Sequence, residues 1–183
     1  FNYILYKYPT SEYINKVNIW KEKINIRLDQ NKYAIDNLKE LLEEENLLIE
    51  ERSLANSYLA QAFINIEQID SAAYYLKKSN KQFKNIKNNP RNTFLLAQLY
   101  QELKVKDTAS ELYSEIIDLH RKIPRKFYIH SYINKSVISY SIENSIMELK
   151  GLAMNFENNN FFDIIYHQIA CLLYTSPSPR DIG

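Results

Sequence analysis

The chain has 183 residues, 45% of them hydrophobic and 25% charged, and its 23 basic and 22 acidic side chains leave a net charge of +1. This composition is typical of an ordinary globular domain, and so small a net charge does not favour nucleic acid or an anionic membrane as a partner. The two glycines, Gly151 and Gly183, are too few for a phosphate loop or a dinucleotide-binding turn, because both need several glycines.

Apolar spacing and helix-stopping residues predict ten helices. In chain order they span residues 1–7, 11–29, 32–44, 51–66, 69–85, 91–104, 107–121, 126–139, 143–157 and 160–173. Pro9, the Asn88-Asn89-Pro90 run and Pro124 lie in the connections, where a helix cannot continue. Residues 128–140 are rich in β-forming side chains, but no segment alternates polar and apolar residues for long enough to predict a sheet. The predicted fold class is therefore all-α.

Small residues recur at a fixed interval along these helices. Three alanines lie 38 and 37 residues apart, and each is followed four residues later by a large side chain on the same helix face. These pairs are Ala34 with Leu38, Ala72 with Leu76, and Ala109 with Tyr113. Two further pairs place an aromatic ring three residues after an alanine: Ala60 with Phe63, and Ala97 with Tyr100. Because a small side chain at a helix crossing and a large one beside it allow close packing, these ten residues are the predicted repeat-packing positions.

This recurrence resembles the tetratricopeptide repeat family, although Ala60 and Ala97 stand where that family usually has glycine. The resemblance implies antiparallel helix pairs stacked as an α-solenoid. The pairs Asp70-Ser71 and Asp107-Thr108 are predicted to cap the second helices of their repeats. Phe1, Ile4 and Pro9 resemble the end of one further repeat, and residues 162–170 resemble the first helix of another.

The last residues differ in composition from the rest. Residues 171–181 hold the single cysteine, Cys171, and two of the five prolines, and they resemble a translated sequencing adapter. We therefore expect a repeat fragment over 1–170, truncated at both ends, and a non-native tail over 171–183, the alternative being a genuine proline-rich tail. The chain shows no targeting segment at its start.

A candidate partner-binding groove is formed by first-helix residues that point away from the second helix of each repeat. They are Ser57, Gln61, Asn65, Phe94, Gln98 and Gln101. Repeat domains that clamp a carboxylate at a chain end usually place Lys and Asn in such positions, so this set does not favour a clamp of that kind.

A basic patch is the second candidate surface, comprising His120, Arg121, Lys122, Arg125 and Lys126. It fits either a hydrated surface between repeats or a grip on an acidic partner or phosphate, and the sequence leaves both interpretations open.

No cofactor, metal or catalytic site is predicted. His120, His130 and His167 are too widely spread for a metal site, and Ser136, Ser139 and Ser141 have no evident base. The acidic residues 43–45 and 50–51 are predicted to form a solvated face. We therefore expect a protein that is not an enzyme.

Several segments together resemble the tetratricopeptide lipoproteins of Bacteroidetes that accompany type IX secretion and gliding motility. These segments are residues 1–11, Trp20 to Lys23, Ala34 to Lys39, 121–125 and 165–170. The resemblance implies a non-catalytic scaffold on the periplasmic face of the outer membrane, held by a lipid anchor upstream of Phe1. Its implied partners are subunits of the secretion or motility machine. The alternative is a regulatory repeat module of a larger envelope protein whose catalytic domain lies outside this sequence.

Overall fold

The computed structural model describes the backbone of residues 1–82 and 90–175 and the side chains of residues 1–81 and 90–174. Its regular elements within those residues are all helical, with no strand. They are α1 Asn2–Lys7, α2 Ile14–Arg27, α3 Asn31–Glu43, α4 Ile49–Asn65, α5 Ile69–Gln82, α6 Pro90–Glu102, α7 Lys106–Asp118, α8 Arg125–Ile138, α9 Ile142–Met154 and α10 Phe162–Thr175. Short 3-10 helices, His120–Lys122 and Phe156–Phe161, precede α8 and α10.

The predicted helices coincide with these ten, with ends that differ by at most three residues where the structure describes them. Predicted residues 83–85, together with Asn88 and Asn89, lie outside the described residues. The β-forming segment 128–140 is helical up to Ile138, because its buried side chains recur at helical spacing. Pro90 is the first residue of α6 and Pro124 directly precedes α8, positions where proline fits a helix start.

The chain divides into two compact units, Phe1–Asn92 and Thr93–Gly183. In the first unit, α4 and α5 are antiparallel: Ser53 near the start of α4 exchanges hydrogen bonds with Ser79 near the end of α5. Each hydroxyl donates to the other residue's carbonyl oxygen, at 3.0 and 2.9 Å. Farther along the pair, the rings of Phe63 and Tyr75 stack with their centroids 5.4 Å apart. A serine hydroxyl reaches the backbone of the opposite helix only where the two helices approach closely, and such an approach requires small side chains at the crossing.

The second unit has a core to which four helices contribute. Its fully buried members are Ile116 from α7, Ile129 from α8, Leu149 from α9 and Ile165 from α10. A smaller cluster joins Ala97, Ala109, Tyr113 and Ile138. Because these side chains come from every helix of α6 to α10, their burial ties the unit together.

The same turn closes three helix pairs. Asp29, Glu67 and Lys104 each have a positive φ, of 61°, 60° and 61°. In each turn the next residue's N–H reaches back five residues to a carbonyl oxygen at 2.9 Å, and the positive-φ residue's own N–H reaches back three. This is the Schellman arrangement, which usually has glycine at the left-handed position. Here that position holds residues with a Cβ, so each turn stores backbone strain.

The predicted packing alanines lie at a constant distance from these turns. Ala34, Ala72 and Ala109 each follow the left-handed residue by five positions, and all three are fully buried. Leu38, Leu76 and Tyr113, four residues further on, are also buried. Of the other predicted packing residues, Ala60, Ala97 and Phe63 are buried and Tyr100 is half-buried.

Two other buried residues take the place of alanine at equivalent positions. Glu22 precedes the Asp29 turn by seven residues, as Ala60 and Ala97 precede theirs, and its carboxylate accepts hydrogen bonds from Asn25 at 2.8 Å and Asn37 at 3.0 Å. Ser145 is the fourth residue of α9, as Ala109 is of α7, and it lies four residues before fully buried Leu149. The repeat therefore continues where alanine does not mark it.

The predicted cap at Asp107 is wrong. Helix α7 begins one residue earlier, at Lys106, and Val105 at its N-cap position makes no side-chain hydrogen bond. The Schellman turn explains this helix start. The N–H of Val105 donates to the carbonyl oxygen of Tyr100, and this hydrogen bond fixes Val105 at the N-cap position of α7. Asp70 likewise lies within the first turn of α5, which begins at Ile69.

Replacing Glu67 or Lys104 with glycine should stabilise the protein. A residue with a Cβ in the left-handed region destabilises the folded state by roughly 1–2 kcal/mol, and glycine avoids this strain. Glycine also loses more backbone entropy on folding, which offsets part of the gain. We expect a gain of about 1 kcal/mol in unfolding free energy for each, measured by denaturant titration. Glu67→Ala is the control that keeps the Cβ, and equal stability of the Gly and Ala variants would contradict the strain.

Enlarging a packing alanine should have the opposite effect. Ala109→Leu or Ala72→Leu would overpack a fully buried site and cost about 1–3 kcal/mol, whereas Gln98→Ala on an exposed position should leave stability unchanged. Thermal unfolding followed by circular dichroism compares them. A melting temperature of Ala109→Leu equal to that of the parent would show that the assigned register is incorrect.

The pH dependence of stability should report on Tyr113. Burial raises its pKa to about 12 from an ordinary value of 10, and its hydroxyl donates to Oε1 of Gln101 at 2.8 Å. Because the native state disfavours the phenolate, the contribution of Tyr113 to stability is complete below pH 10 and is lost as the pH rises towards 12. Tyr113→Phe should therefore lose less stability than the parent between those pH values. Parallel stability curves for the two proteins would contradict this.

Candidate functional site

A cleft of about 440 Å³ opens in the first unit between α2, α4 and the first turn of α6. Ile26, which is buried, and Tyr58 supply its apolar surface. The remaining lining side chains are polar or cationic: Lys23, Arg27, Ser57, Gln61, Asn65 and Arg91. We call this the basic cleft. Its volume lies within the range of sites that hold a ligand.

Helix α4 contributes three polar side chains of the predicted partner-binding groove. Ser57, Gln61 and Asn65 recur every four residues and so share one helix face. The structure brings all three to the basic cleft, with Asn65 exposed and the other two half-buried. The Ser57 hydroxyl lies 3.1 Å from Nδ2 of Asn92, which fixes the mouth of the cleft on the α6 side.

A chain of amides connects this face to the first Schellman turn. Gln61 donates to Asn65 at 3.0 Å, Asn65 donates to Asn31 at 2.9 Å, and Asn31 donates to a carboxylate oxygen of Asp29 at 2.7 Å. Each Asn thus uses its amide as donor on one side and acceptor on the other. The network holds the α4 side chains in place, which reduces the entropy lost when a ligand binds.

Three cations line the basic cleft, and none of them is among the site residues predicted from the sequence. Lys23 and Arg27 lie four residues apart on α2, and Arg91 is in the first turn of α6. The Lys23 ammonium lies 5.4 Å from the ring centroid of Tyr58. None of the lining residues is acidic. The cleft therefore presents positive charge and hydrogen-bonding groups together.

The sequence contains a signal for the charge that Arg91 contributes. From residue 71 to residue 101 the chain carries six basic and no acidic side chains, ending in Arg91. The evenly balanced total of the whole chain concealed this run. The approach of Lys23 and Arg27 to Arg91 could not be found from the sequence, because it depends on how α2 packs against α4.

The other three predicted groove residues lie in the second unit. Phe94 is half-buried, and its ring meets those of Tyr113, Phe127 and His130 with centroids 5.8 to 6.4 Å apart. Gln101 accepts the hydrogen bond from Tyr113, and Gln98 is exposed. Two of the three thus have structural contacts of their own, and a groove role for them stays a prediction.

The basic patch is partly neutralised by one carboxylate. Arg121 forms an ion pair with Glu157, and an Arg125 guanidinium nitrogen lies 3.8 Å from the same carboxylate. Arg125 also donates to Oδ1 of Asn158 at 2.7 Å and stacks over the Tyr128 ring at 4.3 Å. The remaining members, His120, Lys122 and Lys126, are exposed. A partner contact at this patch remains a prediction, and two of its four Arg and Lys side chains, Arg121 and Arg125, already contact a carboxylate.

The described residues contain no group of three or more His, Cys, Asp or Glu side chains that could hold a metal ion. The Ser136 hydroxyl donates to the carbonyl oxygen of Ile133, and that of Ser139 to the carbonyl oxygen of Ser141.

Across the described ranges, no helix is both long and apolar enough to cross a lipid bilayer. Helix α10 continues through Cys171 to Thr175, and residues 176–183 lie outside the described part.

The fold is similar to that of solved TPR-like repeats. Nearly identical TPR-like repeats of a kinesin light chain-like protein from Podosopora anserina align with 87% of this chain and 85% of that chain, at 13% identity and a TM-score of 0.68. A variant of the same protein aligns with 90% and 88%, again at 13% identity, with a TM-score of 0.71. No family model and no curated protein matches the sequence. The predicted all-α tetratricopeptide-type fold is therefore confirmed.

Proposed function

We propose that this chain is a non-catalytic scaffold that binds other proteins and that the basic cleft is one of its contact surfaces. The basic cleft itself carries the proposal: side chains from three helices converge there, and an amide network holds part of it rigid. Repeat folds of this kind offer extended surfaces on which other proteins bind. The cleft presents hydrogen-bond donors, hydrogen-bond acceptors and positive charge, which are the groups that recognition of another protein requires.

We further propose that the scaffold serves type IX secretion and gliding motility as an outer-membrane lipoprotein facing the periplasm. The support is the sequence resemblance of residues 1–11, 121–125 and 165–170, together with the segments around Trp20 and Ala34. Secretion or motility subunits are the partners that this assignment implies. A regulatory module of a larger envelope protein remains the alternative, and it differs by requiring a catalytic domain elsewhere in the same polypeptide.

Affinity capture of the full-length protein from cross-linked envelope extracts tests the assignment. We expect mass spectrometry to find secretion or motility subunits enriched with the parent protein and depleted with Gln61→Trp, because an indole at that position would obstruct the basic cleft whatever the charge of the partner. Gln68→Trp is the matched control, since Gln68 is exposed and does not line the cleft.

Two results would contradict these proposals. Capture of the same proteins by the parent and by Gln61→Trp would remove the basic cleft from the interaction. Capture of cell-wall enzymes, with a catalytic domain found in the full-length polypeptide, would favour the regulatory module instead.

A further inference from the structure

The cations of the basic cleft lack the partners that neutralise the basic patch. Arg121 and Arg125 both lie against Glu157, whereas Lys23, Arg27 and Arg91 form no ion pair with any carboxylate in the part of the chain that the structure describes. Arg27 and Arg91 are exposed and Lys23 is half-buried. These three side chains are therefore available to a negatively charged ligand.

The lining of the basic cleft gives it a positive potential. Its three cations, Lys23, Arg27 and Arg91, are accompanied by no acidic lining residue. Like charges around a concave surface raise the local potential, because the low-dielectric walls focus the field. An anionic group entering the cleft would lower this electrostatic free energy, which a neutral group would not do.

We propose that the basic cleft binds a segment of a partner protein rich in Asp and Glu, whose side-chain carboxylates pair with Lys23, Arg27 and Arg91. This inference rests on the proposed scaffold function and specifies the chemistry of the partner. The two guanidinium groups suit bidentate pairing with carboxylates. Ser57 and Gln61 supply hydrogen-bonding groups for the peptide backbone, and Ile26 supplies an apolar floor.

The geometry favours a peptide over a nucleic acid. Binding of single strands requires successive aromatic rings on which bases stack. Tyr58 is the single aromatic ring among the cleft residues, and the Lys23 ammonium already lies over it. Three cations are also fewer than the number of phosphate contacts typical of tight nucleic-acid binding.

Fluorescence anisotropy with the purified 183-residue chain tests this inference. The probe is a short labelled peptide of alternating Glu and Ala, amidated at its C-terminus so that side chains carry every carboxylate. Its matched control replaces each Glu with Gln. We expect the Glu peptide to bind at least about tenfold more tightly, and the advantage to fall between about 0.1 M and about 1 M salt as the screening length shrinks from about 10 Å to about 3 Å.

Charge-removing variants locate the binding site. Lys23→Gln, Arg27→Gln and Arg91→Gln should each weaken binding of the Glu peptide about fivefold, as expected for loss of one partly exposed ion pair. Lys77→Gln is the control, because it removes the same charge from an exposed position of α5 that does not line the cleft.

Three results would overturn the inference. Equal affinity for the Glu and Gln peptides, with both lost in Gln61→Trp, would reject the acidic class while leaving the scaffold function intact. An equal loss in Lys77→Gln and in the cleft variants would show a diffuse charge effect. Tighter binding of a single-stranded oligonucleotide, lost in the same three variants, would identify nucleic acid as the ligand. Failure of the envelope capture would instead count against the scaffold function itself.

Discussion

Each of the first three helix pairs depends on a backbone turn in which one residue takes a left-handed conformation and the following N–H reaches back to the helix that has just ended. Asp29, Glu67 and Lys104 occupy that position with nearly equal φ angles. The turn sets where the second helix starts and therefore which of its faces meets the first helix. A buried alanine five residues later is the consequence, since that position lies at the crossing. The chain maintains this geometry without glycine, at a cost in backbone strain at every turn.

The same constraint explains how the repeat persists where its sequence signature fades. A crossing needs a side chain that is small or fully satisfied, and alanine is only the simplest solution. Ser145 is small enough and returns its hydroxyl to the carbonyl oxygen of Ser141 at 2.9 Å. Glu22 is larger and charged, but two Asn amides satisfy its carboxylate. Recurring alanine does not reveal these two positions, because they match Ala60 and Ala109 in their location within the helix pair and not in residue type.

The helices and their order could be predicted from the sequence because apolar spacing and proline act locally. The positions of Ser57, Gln61 and Asn65 on one face of α4 followed from the same helical period. The charge of the basic cleft could not be predicted in this way. Lys23, Arg27 and Arg91 come from helices far apart in the chain, and their convergence is a product of tertiary packing. The basic patch differs, because its cations lie close together in the sequence. Their neutralising partner could not be predicted, since Glu157, which Arg121 and Arg125 share, lies more than thirty residues away.

Residue-resolved amide hydrogen exchange tests the turn geometry most directly. The amides of Gln30, Gln68 and Val105 donate to the carbonyl oxygens of Asn25, Phe63 and Tyr100, each at 2.9 Å. These three amides should exchange slowly, with protection close to that of the neighbouring helices, even though they lie in connections where amides ordinarily exchange fast. Exchange at the rate of an unprotected peptide at all three positions would contradict the account, because the helix pairs would then lack the turn that places their buried alanines.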